Sequence, residues 1–200
     1  MALVMKRKGY GQVEANHLSG IVEGRIYAQL PAQYTKTTAN GVTTYTGITQ
    51  LENGQFAKYD YANGKVNFTG DGEFMLVYNE IKLYDERYQS MKDFVYKIAD
   101  FTDEQIYPRL IATEIGDIIT TNTIAVPNTS NTAEVGTMSL SVGNYLVVGE
   151  NGFLTLAMTG EGNNATAATT MPSTGMVWKV VKEYTMPDTT QPGVKIQRVQ

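Results

Sequence analysis

The stretch "LENGQFAKYDYANGKVNF", residues 51–68, holds two Asn-Gly pairs, Asn53-Gly54 and Asn63-Gly64, between short runs of alternating character. Asn-Gly readily supplies the two positive-φ positions of a type I′ turn, so each pair signals an antiparallel reversal. Phe56 and Lys58 alternate with Ala57 and Tyr59, and Val66 shares a face with Phe68. From Ile48 to Phe68 this predicts up to three short strands joined at the two pairs. Two further pairs occur, Asn40-Gly41 upstream and Asn151-Gly152 inside "VVGENGFLTL".

Upstream, "AQYTKTTANGVTTYTG" (32–47) places Thr and Tyr around Asn40-Gly41. Neither face is apolar, so a hairpin projecting from the body is expected. Residues 21–30 alternate as a strand that Pro31 would end, since proline donates nothing to a ladder. Residues 1–20 show no sustained period and are expected to be an irregular arm or edge element.

Downstream, Phe74 to Tyr78 is apolar enough for a central strand covered on both faces. Tyr84, Tyr88, Met91 and Val95 follow a helical period, while Phe94 and Tyr96 also read as alternation. A short helix or an extended linker is expected near 84–106. Thr102 and Gln105 resemble a capping box ahead of Pro108. Residues 109–121 return to strand character, and "TNTIAVPNTSNTAEVGT" (121–137) reads as a surface loop. "MSLSVGNYLVVG" and "FLTLAM" should pair through Glu150-Asn151-Gly152. A polar loop (160–175) and the strands "MVWKVVKEYT" and "VKIQRVQ" close the chain.

The fold class expected is mainly β: antiparallel hairpins forming one or two small β-barrel or sandwich subdomains, with at most one or two short helices. The divisions are an N-terminal arm (1–20), a β-rich subdomain (21–120), a loop (121–137) and a small C-terminal β subdomain (138–200), which residues 109–120 could join.

Composition narrows the chemistry. The absence of cysteine excludes thiol nucleophiles, cysteine zinc sites and iron–sulfur clusters. A net charge of -4 argues against sequence-independent nucleic-acid binding, which needs a basic surface. The exception is the run Lys6, Arg7, Lys8. It leads into Gly9-Tyr10-Gly11-Gln12, where an export signal would place its apolar region, so use without export is expected. No apolar run reaches the ~20 residues of a membrane helix.

Candidate active-site residues are few. His17 is the sole histidine, and no G-x-S-x-G elbow surrounds any serine. The nine carboxylates between Asp71 and Glu104 alternate with Lys82, Arg87, Lys92 and Lys97, the pattern of a solvated, salt-bridged surface. "TGDGEF" and "DFTDEQ" hint at calcium without matching its loop. The glycines form no phosphate cradle. No catalytic, cofactor-binding or metal residue is assigned, and an enzyme is not expected.

The ordered phrases "KRKGYGQVEANHLS", "GRIYAQLPA", "LENGQFAKYDYANGKVNFTGDGEFMLVYNEIKLYDERYQS", "EIGDIITTNTI", "YLVVGENGFLTL" and "VWKVVKEYTMPDTTQPGVKIQRV" resemble small structural proteins of tailed bacteriophages encoded beside the major capsid protein. The resemblance implies a capsid decoration, or cement, protein on the outer surface of the expanded head. Its partner would be the major capsid protein, with homo-oligomers (a trimer favoured) and neither membrane nor direct nucleic-acid contact. Lys6, Arg7, Lys8 and Tyr10 occupy the position of an arm that orders on the shell and are the capsid-contact candidates. A tail-tube or head–tail connector protein is the alternative, as is a carbohydrate-binding module using exposed tyrosines and Trp178.

Overall fold

A computed structural model describes residues 3–5, 10–79, 94–98, 105–125, 138–160, 165–186 and 191–200. Strands dominate these residues, and α1 (Ser19–Val22) is the one helix among them.

Six strands form an antiparallel sheet in the order β15 (Leu154–Leu156), β14 (Tyr145–Val148), β18 (Val177–Thr185), β19 (Pro192–Arg198), β12 (Ile118–Thr121) and β2 (Val13–His17). Five more run in the order β3 (Ile26–Tyr27), β11 (Leu110–Ile111), β9 (Met75–Val77), β7 (Phe56–Asp60) and β8 (Lys65–Asn67). The rest pair two by two: β1 (Leu3–Met5) with β13 (Met138–Leu140), β6 (Gln50–Glu52) with β10 (Val95–Lys97), β16 (Met158–Thr159) with β17 (Thr166–Ala167), and β4 (Tyr34–Ala39) with β5 (Val42–Gly47).

Period-2 alternation explains the core. Trp178 and Val180 of β18, Val194 and Ile196 of β19, Ile119, Leu146 and Leu154 are buried in one cluster. Phe56 and Leu76 enter that cluster from the five-stranded sheet, and the Phe56 ring lies 5.7 Å from Trp178. Their neighbours Ala57, Tyr59, Met75 and Val77 join a second cluster with Leu51, Val66, Ile98, Ile106 and Leu110. The five-stranded sheet is therefore covered on both faces, and Met75, Leu76 and Val77 are all buried, as their unbroken apolar run implies. The architecture is mainly β and sandwich-like. Its sheets close no barrel among the described residues.

Three of the four Asn-Gly pairs sit in hairpins. Asn40 and Gly41 both have positive φ, 52° and 77°, so β4 and β5 meet in a two-residue turn of type I′ character. Asn63-Gly64 closes a longer loop, because Asp60 pairs with Lys65 and four residues lie between them. Asn151-Gly152 turns β14 into β15 as expected.

Asn53-Gly54 differs: β6 pairs with β10, and β7 with β8 and β9. Only Gly54 has positive φ, 91°, and Gln55 N–H bonds back to Glu52 C=O at 3.2 Å, the pattern of a type II turn. Such a turn splays its flanking strands, so this pair makes a corner between sheets.

Four other expectations change or sharpen. Val13–His17, within the span expected as an irregular arm or edge element, is the edge strand β2; its partner β12 shifts register between Ile118 and Ile119, and so short a ladder leaves little period to read. Residues 21–30 hold only the two-residue β3. The chain before it is turned by α1, where Asp117 Oδ1 accepts from Ser19 N at 2.9 Å, and by Gly24 at φ 72°. Val95–Lys97 is strand β10 rather than helix or linker, and residues 84–93 and 99–104 of that span, with Thr102 of the expected capping box, lie outside the described residues.

Finally, Thr121, Asn122, Thr123 and Ile124, read as the start of a surface loop, are buried. Hydrogen bonds make this burial tolerable. The rest of that tract, 126–137, is outside the described residues.

Candidate docking surface

Buried polar side chains gather where the chain crosses between sheets. Glu52 Oε2 accepts from Gly11 N–H at 2.8 Å. Gln55 accepts from Glu52 N–H at 2.6 Å and donates to Asn151 C=O at 2.8 Å. Thr123 Oγ1 donates to Asn53 C=O at 2.7 Å, and Gln12 N–H donates to Asn122 Oδ1 at 2.9 Å. Asn53 holds Asn79 from both ends of its amide, at 2.9 and 2.8 Å. Phe56 N–H donates to Gly152 C=O at 2.7 Å, so the Asn53-Gly54 and Asn151-Gly152 corners dock directly on each other. Glu52 here is a fixed acceptor inside a hydrogen-bonded network, which suits holding two sheets together. Residues 52–55 carried only a turn signal, so sequence reasoning missed this seam.

The contact candidates divide. Lys6, Arg7 and Lys8 lie outside the described residues. Tyr10 is half-buried, with Lys97 Nζ 4.6 Å from its ring centroid, and Gly11 beside it is tied into the seam. Tyr10 therefore sits against the body as the chain enters the fold. His17 ends β2, exposed. Trp178 is fully buried, so it cannot serve as a sugar-stacking platform. Tyr61 is exposed and stands edge-on to Tyr59, centroids 5.7 Å apart. Among the described residues no three His, Asp or Glu are placed to hold a metal ion, and no helix is long and apolar enough to cross a membrane.

The β4–β5 hairpin stands open. Nearly every residue of it is exposed, and neither outer edge pairs with another described strand. Cross-strand register assigns its faces. One carries Tyr34, Lys36, Thr38, Thr43 and Tyr45: the two rings are 6.0 Å apart, Lys36 Nζ is 5.8 Å from the Tyr45 centroid, and the two threonine hydroxyls are 3.1 Å apart. The other carries Thr35, Thr37, Ala39, Val42, Thr44 and Thr46, a surface of methyls and hydroxyls without charge. Lys36 is the arm's sole charged side chain. Proteins usually blunt free edges with charges, prolines or bulges. This arm uses almost none of those devices.

Comparison of the chain with protein-family models, curated proteins and solved structures gave no match.

Proposed function

We propose that the chain is a non-enzymatic structural protein of a tailed-phage virion, a decoration protein that binds the expanded head and bridges major capsid protein subunits. The observation that carries this reading beyond the resemblance is the β4–β5 arm. It reaches about 20 Å from end to end at strand rise, keeps two open edges and one uncharged β-branched face, and contributes little to the core. An isolated two-stranded hairpin is marginal in water, so an arm of this composition gains order by adding to another sheet or lying along another subunit. The polar seam fixes the sandwich that carries it. Weak contacts of this kind become firm when many copies act on one shell.

Purified protein mixed with expanded heads that lack it should bind stoichiometrically and raise their resistance to heat or chelator. Failure to bind either procapsids or expanded heads overturns the proposal. Spontaneous assembly into tubes or sixfold rings would assign the arm to a tail-tube or connector protein instead.

A further inference from the structure

Asn-Gly pairs carry a chemistry of their own. The glycine backbone nitrogen attacks the asparagine side-chain carbonyl carbon, forming a C–N bond. The amide C–N bond breaks, ammonia departs with the displaced proton, and a succinimide ring remains. Water then opens the ring at either carbonyl, leaving aspartate or isoaspartate. No electrons are exchanged, and water is the one co-reactant. The step needs a glycine N–H without an acceptor and an amide free to rotate toward it.

The four pairs meet these requirements unequally. Gly54 N–H donates to Val77 C=O at 2.9 Å, and the buried Asn53 amide is held at both ends by Asn79. Gly152 N–H is bound to Gly149 C=O at 2.9 Å. Asn63 is exposed, but its Nδ2 donates to Asp60 Oδ2 at 2.8 Å and its N–H to Asp60 Oδ1 at 3.0 Å. Asn40 and Gly41 are both exposed at the arm's tip, and neither the Asn40 amide nor the Gly41 N–H bonds to a described residue. Nothing lies within 4 Å of where a Cβ on Gly41 would stand. Ring closure requires the turn to open, and a free hairpin tip opens at little cost, whereas the Asn53 and Asn151 corners, docked on each other, open only with the body.

We infer that Asn40 is a site of spontaneous deamidation in the folded protein, while Asn53 and Asn151 are guarded by the fold and Asn63 by Asp60. The product matters to the arm. A carboxylate at the tip offsets its one positive charge, Lys36, and isoaspartate reroutes the main chain through Cβ, which the two-residue turn cannot accommodate.

The test is peptide mapping with isoaspartate-resolving chromatography after incubating the native protein at mildly alkaline pH. Isoaspartate should appear at Asn40 at least about tenfold faster than at Asn53 or Asn151. In denaturant the four sites should react at comparable rates, which shows the ranking to be structural. Asp60→Ala should speed Asn63 and leave Asn40 unchanged. Asn40 reacting no faster than Asn53 in the native protein overturns the inference, as does a ranking that survives denaturation. An unchanged Asn63 rate in D60A removes the guarding role of Asp60.

Discussion

Gly152 and Gly41 share nearly the same positive φ, 75° and 77°, and differ in what surrounds them. A Cβ on Gly152 would fall onto the Phe56 carbonyl oxygen, a backbone atom fixed by the docking of two corners. Gly152→Ala should therefore cost about 3 kcal/mol, backbone strain plus overpacking. Gly41→Ala meets open space and should cost about 1 kcal/mol, the strain alone. Urea denaturation of the two variants measures the difference, and equal costs would remove the docked corner from the account.

Asp60 gives a second prediction at the residue scale. The side-chain amide of Asn63, then its backbone N–H, hold Asp60 below the usual carboxylate range. A carboxylate whose folded pKa is depressed stabilises fully above its unfolded value of about 4, and that contribution is lost as pH falls through the folded pKa. Asn63→Ala should move the Asp60 midpoint up toward its ordinary value in an NMR titration, with Asn67 Nδ2 at 3.1 Å keeping part of the shift. An unmoved midpoint would show that the loop bond does not hold the charge.

At the scale of elements, the arm separates stability from contact. Deleting Thr37, Thr38, Thr43 and Thr44 removes two residues from each strand, preserves the facing of the rest and leaves the Asn40-Gly41 turn. Tyr34 and Tyr45, which pack against the second core cluster, remain. Stability should change by less than about 0.5 kcal/mol in thermal or urea unfolding, while binding to expanded heads is lost. Retained binding would show that the arm is not the docking element. This is also where legibility in the sequence has its boundary. The Asn40-Gly41 hairpin was readable because everything it needs is local: two positive-φ residues and flanking β-branched strands. The Phe74–Tyr78 run was readable because burial on both faces leaves an unbroken apolar signature. Asn53-Gly54 carries the same dipeptide and was misread as a hairpin, because Val77, Gly152 and Thr123, distant in sequence, decide its geometry. Thr121–Thr123 looked like loop for the same reason: what makes them interior is a set of partners that composition does not name.

For the whole molecule, the open question from sequence was whether two β subdomains fold as separate bodies. Phe56 and Leu76 belong to the five-stranded sheet yet pack in the cluster of the six-stranded one, while Ala57 and Met75 beside them face the other way. The middle layer thus shares its two faces between both clusters, and the Glu52–Gln55–Thr123 seam ties the same elements by hydrogen bonds. Neither cluster keeps its lining if the other opens, so unfolding should be cooperative. Two intrinsic probes test this. Trp178, the single tryptophan, is fully buried in the first cluster, whereas Tyr27, Tyr34, Tyr45, Tyr59 and Tyr96 lie in or against the second. Tryptophan fluorescence and near-ultraviolet tyrosine dichroism should show one coincident urea transition. Phe56→Ala, a large-to-small change at the shared layer, should cost about 3–5 kcal/mol and move both signals together. If the tyrosine signal stays in place while the tryptophan signal shifts, the middle layer does not couple the clusters and the chain consists of two bodies joined by a seam.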